Sequence, residues 1–157
     1  AGLILVGLLA CQPPETFHQG QTFDAVPHVD LSAGSHENQL WQTEDLTVDY
    51  QYAFEQQLAI KGQLNLKGHL RASFNRLSSF DSTLFILDAN RRIIHATLLV
   101  SEMSANSTDP MYFSVNIQIP PQGRYFTFGY NGQLQETDSV QLVLTEWLSR
   151  MPRTSKR

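Results

Sequence analysis

The residues able to do chemistry are few and scattered. His28, Asp30, His36 and Glu37 lie close together, and imidazole with carboxylate is a zinc-binding combination. His28 and Asp30 would share one face of an extended strand. No His-Glu-x-x-His or other dense ligand spacing accompanies them, so they read as solvated polar side chains and not as a metal site. Serine, histidine and aspartate all occur, but no Gly-x-Ser-x-Gly elbow presents a nucleophile. Asp81, Asp88, Asp109 and Asp138 fall at expected loop ends without the Asp-x-Asp-x-Asp spacing of a calcium loop. His69 and His95 fall in or beside expected strands and read as surface or satisfied side chains. The expectation is a chain with no catalytic residue, no metal and no cofactor.

Aromatic side chains offer a different chemistry, stacking on a ligand. Tyr50, Tyr52, Phe54, Phe126, Phe128 and Tyr130 alternate with polar residues, which assigns them to a core face. Trp41 and Trp147 stand apart. Each falls at the edge of an expected strand beside polar residues: Gln42 and Thr43 for one, Glu146 and Ser149 for the other. They are the candidate ligand-binding side chains, with buried anchoring near the two ends of the domain as the alternative.

Cys11 is the only cysteine, and an exported chain with one thiol cannot close an internal disulfide. It follows the apolar run Leu3-Ile4-Leu5-Val6-Gly7-Leu8-Leu9-Ala10 and precedes Gln12-Pro13-Pro14. This arrangement resembles the lipobox of bacterial lipoproteins, with Leu8 three positions before the cysteine and Ala10 immediately before it. The resemblance implies cleavage before Cys11, a diacylglycerol on its sulfur and an acylated new amine. Residues 1–10 are then the remnant of a signal peptide from a longer precursor. Their length suits an apolar signal core of ~7–15 residues and falls short of the ~20 a spanning helix needs. At about 0.8 kcal/mol per buried methylene, two or three acyl chains anchor firmly where one would not. In enterobacterial lipoproteins Asp after the cysteine favours the inner membrane. Gln12 stands there instead, so the resemblance implies a cell-envelope protein anchored at the outer membrane.

Composition narrows the remaining chain. Beyond residue 10 it has the size of one domain and needs no staples to bury a core. The net charge is −4, and 17% of residues are charged against a typical ~25%. No overall basic balance favours nucleic acid. Arg150, Arg153, Lys156 and Arg157 concentrate positive charge in a tail over 150–157. It reads as a solvated end, with contact to anionic lipid as its functional alternative.

The elements must come from hydropathy period. Residues 11–38 carry Pro13, Pro14, Gly20, Pro27 and Gly34 and hold no sustained period, so they read as a lipidated tether. Part of it, about 22–31, is apolar enough to lie against the domain as an irregular strand. Alternation over 46–55 and again over 58–67, around Gln56-Gln57, predicts a long antiparallel hairpin. Gly62 interrupts its apolar row and marks a bulge or a close backbone approach. Residues 68–82 show both helical and alternating spacing and read as an irregular crossover with one helical turn. Thr83 to Leu87 is a continuous apolar run, as for a central strand covered on both faces. Asp88-Ala89-Asn90-Arg91 is a tight turn into a return strand over 93–100, and 101–110 is a polar loop. Strands follow at 113–119, at 125–130, and from Val140 to about Trp147, with a turn at Asn131-Gly132.

About seven hairpin-linked strands without a βαβ rhythm exclude a parallel sheet. The expected fold is all-β: an antiparallel, immunoglobulin-like β-sandwich over 39–149, with a small β-barrel as the alternative. The lipocalin subtype is disfavoured, since Trp41 lacks the Gly-x-Trp of that family's first strand. The expected function is that of a non-enzymatic, lipid-anchored accessory or assembly protein that binds an envelope protein partner. The hairpin 46–67 would offer an edge for strand addition, guarded by Lys61 and Lys67. The alternative is a surface carbohydrate-binding module, which needs two or three aromatics exposed in a row.

Overall fold

A computed structural model describes residues 18–24, 26–137 and 143–152. Cys11, the apolar run before it and the end of the basic tail lie outside the described residues. The strands are β1 (Val29–Asp30), β2 (Gly34–Gln42), β3 (Leu46–Phe54), β4 (Gln57–Leu66), β5 (Arg76–Leu87), β6 (Ile93–Asn106), β7 (Met111–Gln118), β8 (Tyr125–Thr137) and β9 (Val143–Arg150). A single short helix, α1 (Gly68–Ser73), joins β4 to β5.

The strands form two antiparallel sheets. One has four strands in the order β2-β3-β4-β7. The other runs β1-β8-β5-β6, with β9 pairing the far half of β8. Four connections change sheet: β1 to β2, β4 to β5, β6 to β7, and β7 to β8. As a result β7 returns beside β4, and β8 beside β5. That interlocked Greek key is the connectivity of an immunoglobulin-like sandwich. Both sheets are open, so the barrel alternative is excluded.

Alternation drives the face-to-face packing. Leu46, Val48, Tyr50 and Tyr52 of β3, with Leu58, Ile60, Leu64 and Leu66 of β4, are buried. From the other sheet Leu84, Ile86, Phe126, Phe128 and Tyr130 meet them. The rings meet mainly edge to face, as aromatic quadrupoles prefer. Tyr52 and Phe126 have centroids 5.3 Å apart, and Tyr50 and Phe128 5.5 Å. The six alternating aromatics therefore line the core, five of them buried and Phe54 packed against it.

Nine strands replace the expected seven, and each difference has a physical cause. β2 begins inside the expected tether, at Gly34, and runs on into the expected domain. A bulge lies between His36 and Gln39, with Asn38 at φ 52°, and it reverses the side-chain alternation. His36 and Trp41, five positions apart, therefore both turn to the inner side, and no period of two survives in the sequence. A second irregularity, between Leu77 and Ser79, turns both Leu77 and Phe80 inward. That three-residue step imitates a helix, so 76–82 is strand where a crossover was expected. α1 supplies the single helical turn of that stretch. β6 continues to Asn106 where a loop was expected, carrying shifts opposite Ser82/Thr83 and Ile86/Leu87. Asn131-Gly132 makes no turn. It lies in the middle of β8, where a Cβ on Gly132 would come 2.8 Å from the Ser79 carbonyl oxygen. The last strand begins at Val143, and residues 138–142 lie outside the described residues.

The chain before β2 is also built into the domain. The Gly20 amide donates to the Ile93 carbonyl and the Ile93 amide to the Gln21 carbonyl, each at 2.8 Å. Phe23 packs edge-on against Phe85 at 5.4 Å. Phe85 points to the outer face of the five-stranded sheet, so this segment explains why Leu84 to Leu87 is buried on both faces.

Candidate functional site

Most candidate side chains are absorbed by structure. Trp41 is 2% exposed and stacks edge-on against Phe128 at 5.2 Å. Its indole N–H donates to the Pro27 carbonyl at 2.8 Å. It is an anchor and presents no ring to a ligand, which removes it from the binding candidates. Trp147, on β9, is 71% exposed and remains an accessible ring. The two tryptophans do not share a surface, since Trp41 faces the core. His36 stacks on Tyr52 at 4.4 Å and bonds the Ser32 carbonyl at 3.2 Å, while His28 contacts the Phe23 carbonyl. Among the described residues no three His, Cys, Asp or Glu side chains converge on a metal-sized site. Asp81 lies within β5, and Asp88 accepts from the Asn90 and Arg92 amides at 2.8 and 2.9 Å. Arg150 belongs to β9 and pairs with Glu44, so it is not part of a loose tail.

The most strongly perturbed groups are core tyrosines. Tyr130 donates to Asp45 Oδ2 at 2.6 Å and lies 2.7 Å from Thr43 Oγ1. Burial above all, then the bond to Asp45, raises its phenol far above the ordinary tyrosine range, with Thr43 opposing. Burial, helped by Tyr52, pushes Tyr50 up to about 12. Both phenols stay protonated and serve packing. Neither has the near-neutral value that proton transfer requires.

The long hairpin β3–β4 is interior. β3 pairs with β2 as well as β4, and β4 with β7 as well as β3. Strands 46–55 and 58–67 therefore offer no edge, and Lys61 and Lys67 guard none. The edges of this sheet fall instead on β2 and on β7, whose sequence is Met-Tyr-Phe-Ser-Val-Asn-Ile-Gln. β7 holds no charge, glycine or proline, and Pro110 and Pro120 bound it. Among the described residues no strand pairs with its far side.

The outer face of the same sheet carries a long shallow trough. Register sets its side chains in rows, because directly opposed residues share a face. One row is Leu40, Asp49, Gln63 and Tyr112, the next Gln51, Lys61 and Ser114, and the next Ser35, Ala53, Ala59 and Asn116. Gln57 and Gln118 close the far end and bond each other at 3.4 Å. Depressions of about 550, 270 and 390 Å³ follow one another along the rows and share residues where they meet. The alanines and serines make the hollow, since they leave the pleated floor bare between longer amide side chains. Tyr112 (71% exposed) and Leu40 (57%) stand on opposite sides of one end. Neither residue stood out in the sequence, because β2 and β7 had first to be placed as the two outer strands.

No protein-family model matches this chain, and neither a curated protein nor a solved structure does.

Proposed function

We propose that this chain is a non-enzymatic, lipid-anchored protein of the cell envelope, held at the outer membrane through Cys11. It acts as an accessory or assembly lipoprotein that binds a protein partner. The observation that carries the binding role is the β7 edge. Natural sheets blunt their edges with charge, bulges, proline or shortness. Here β2 has Glu37 and a bulge, β6 has Glu102 and two register shifts, β9 has Glu146 and Arg150, and β1 has two residues. Only β7 has none of these devices. Eight neutral residues, among them the strand formers Tyr112, Phe113, Val115 and Ile117, with backbone groups unpaired on one side are a template for an added strand. The lipobox-like segment ending at Cys11 supports the anchor and the envelope location.

The test is a crosslinked pulldown from cells carrying the acylated protein, run beside Cys11→Ala and Asn116→Lys versions. Capture of one envelope protein by the parent, lost on losing the anchor and on charging the edge, supports the reading. Equal capture by all three versions, or none by any, removes it.

A further inference from the structure

The trough on the outer face of the four-stranded sheet takes side chains of Tyr112, Ser114 and Asn116 from β7 but presents side chains where the β7 edge presents backbone, and so calls for a different ligand. We infer that it binds a linear, uncharged polysaccharide strand. Its shape is the first reason. It runs along the strands for about 20 Å, from the row of Gln63 to that of Gln57, at ~3.4 Å per residue. The hollow is long and shallow, so it suits a polymer laid lengthwise more than a compact molecule.

Its chemistry is the second reason. Gln51, Gln63 and Asn116 each present an amide that donates and accepts at once, as neighbouring sugar hydroxyls and acetamido groups do. None of the three has a side-chain hydrogen bond among the described residues, and neither do Asp49 and Lys61. They are therefore available to a ligand without breaking an internal bond. Tyr112 supplies a flat, exposed ring beside this amide array, onto which the C–H face of a sugar can lie. The carboxylates Glu37, Asp49 and Glu55 line the depressions against one cation, Lys61, so there is no cationic cluster to hold a polyanion. One ring in place of a row of aromatics makes each sugar contact weak, so binding rests on several amides engaged along the strand.

The experiment uses the full chain in detergent and calorimetric titration with cellohexaose, N-acetylchitohexaose and an alginate hexamer. The expected result is binding of at least one neutral oligomer. Tyr112→Ala and Gln51→Ala should each weaken it about tenfold, a loss typical of one lost anchor. Trp147→Ala, on the other sheet, should leave it unchanged. Both trough side chains face solvent, and unchanged thermal unfolding of the variants verifies that they fold. Failure of both neutral oligomers to bind overturns the inference, as does preference for alginate or parental binding by Tyr112→Ala. None of these outcomes bears on the pulldown at the β7 edge, so the two readings fail separately.

Discussion

Trp41 donates its indole N–H to the carbonyl oxygen of Pro27 at 2.8 Å, and through that bond a strand of one sheet holds the chain that leads to the other. The Thr127 hydroxyl of β8 reaches the same oxygen at 2.6 Å. One acceptor thus ties together β2, β8 and the segment that covers Phe85.

Removing the ring should be costly and removing only its donor modest. Trp41→Ala is expected to destabilise the fold by about 3–5 kcal/mol, the range for deleting a buried large aromatic. Trp41→Phe should cost about 1–2 kcal/mol, since Thr127 still satisfies Pro27 while the ring is smaller. Urea unfolding measures both. Proteolysis at 18–28 should speed up in both variants. Parental stability of Trp41→Phe would show that the bond contributes nothing.

The buried phenols set an alkaline limit. Tyr50 and Tyr130 have folded pKa values above the unfolded value of about 10, so the folded state holds their protons more tightly. The stabilisation is complete below that unfolded value and is lost as pH rises from about 10 through the folded values. Unfolding free energy should show no decline from these groups between neutrality and about pH 9, then fall. Tyr130→Phe should reduce the alkaline slope and cost about 1–2 kcal/mol at neutral pH through the lost bond to Asp45. An unchanged slope in that variant would reject the assignment.

Gly62 is a matter of space and not of backbone freedom. A Cβ there would lie 2.3 Å from the Asp49 carbonyl oxygen and 2.8 Å from the Tyr50 Cβ. Backbone in mid-sheet cannot yield, so Gly62→Ala should cost about 3 kcal/mol, the upper part of the overpacking range. Gly68→Ala, where a Cβ meets nothing within 4 Å, is the control and should be neutral or slightly stabilising. Thermal unfolding of the pair reads the difference.

The β5–β6 turn holds one correctable strain. Arg91 sits at φ 60°, a left-handed position that suits glycine better. Its ion pair with Asp24, at 3.4 Å, is exposed on both sides and worth little. Arg91→Gly should therefore raise stability by about 0.5–1 kcal/mol. Asp88→Ala removes the acceptor of two turn amides and should cost about 1–2 kcal/mol. Denaturant midpoints decide both, and a destabilised Arg91→Gly would mean the turn is not strained.

Legibility followed the regularity of each strand. β3, β4 and β7 keep an unbroken period of two, because each has one wet and one dry face, and their residues announced them. The continuous apolar run before Asp88 was equally plain, since a strand covered on both faces admits no polar side chain. β2 and the first half of β5 were not legible. A bulge shifts side-chain parity by one, so the inward pair His36 and Trp41 obeys neither strand nor helix spacing, and the inward pair Leu77 and Phe80 takes a helical one. Asn131-Gly132 misled for a related reason: the pair has good turn chemistry, but β8 needed a small residue where Phe80 crowds it.

The residues alone established an all-β sandwich and a core of alternating aromatics. These follow from local pattern, which needs no knowledge of neighbours. Pairing decided the rest. Whether a strand is an edge depends on who lies beside it, and β4 and β7 read alike until one gained two neighbours and the other one. The trough depended on register, because only alignment of four separate strands sets Ala53 beside Ala59 and Tyr112 beside Gln63. Contacts between residues far apart in the chain carry no local signal, and both candidate surfaces of this protein are made of such contacts.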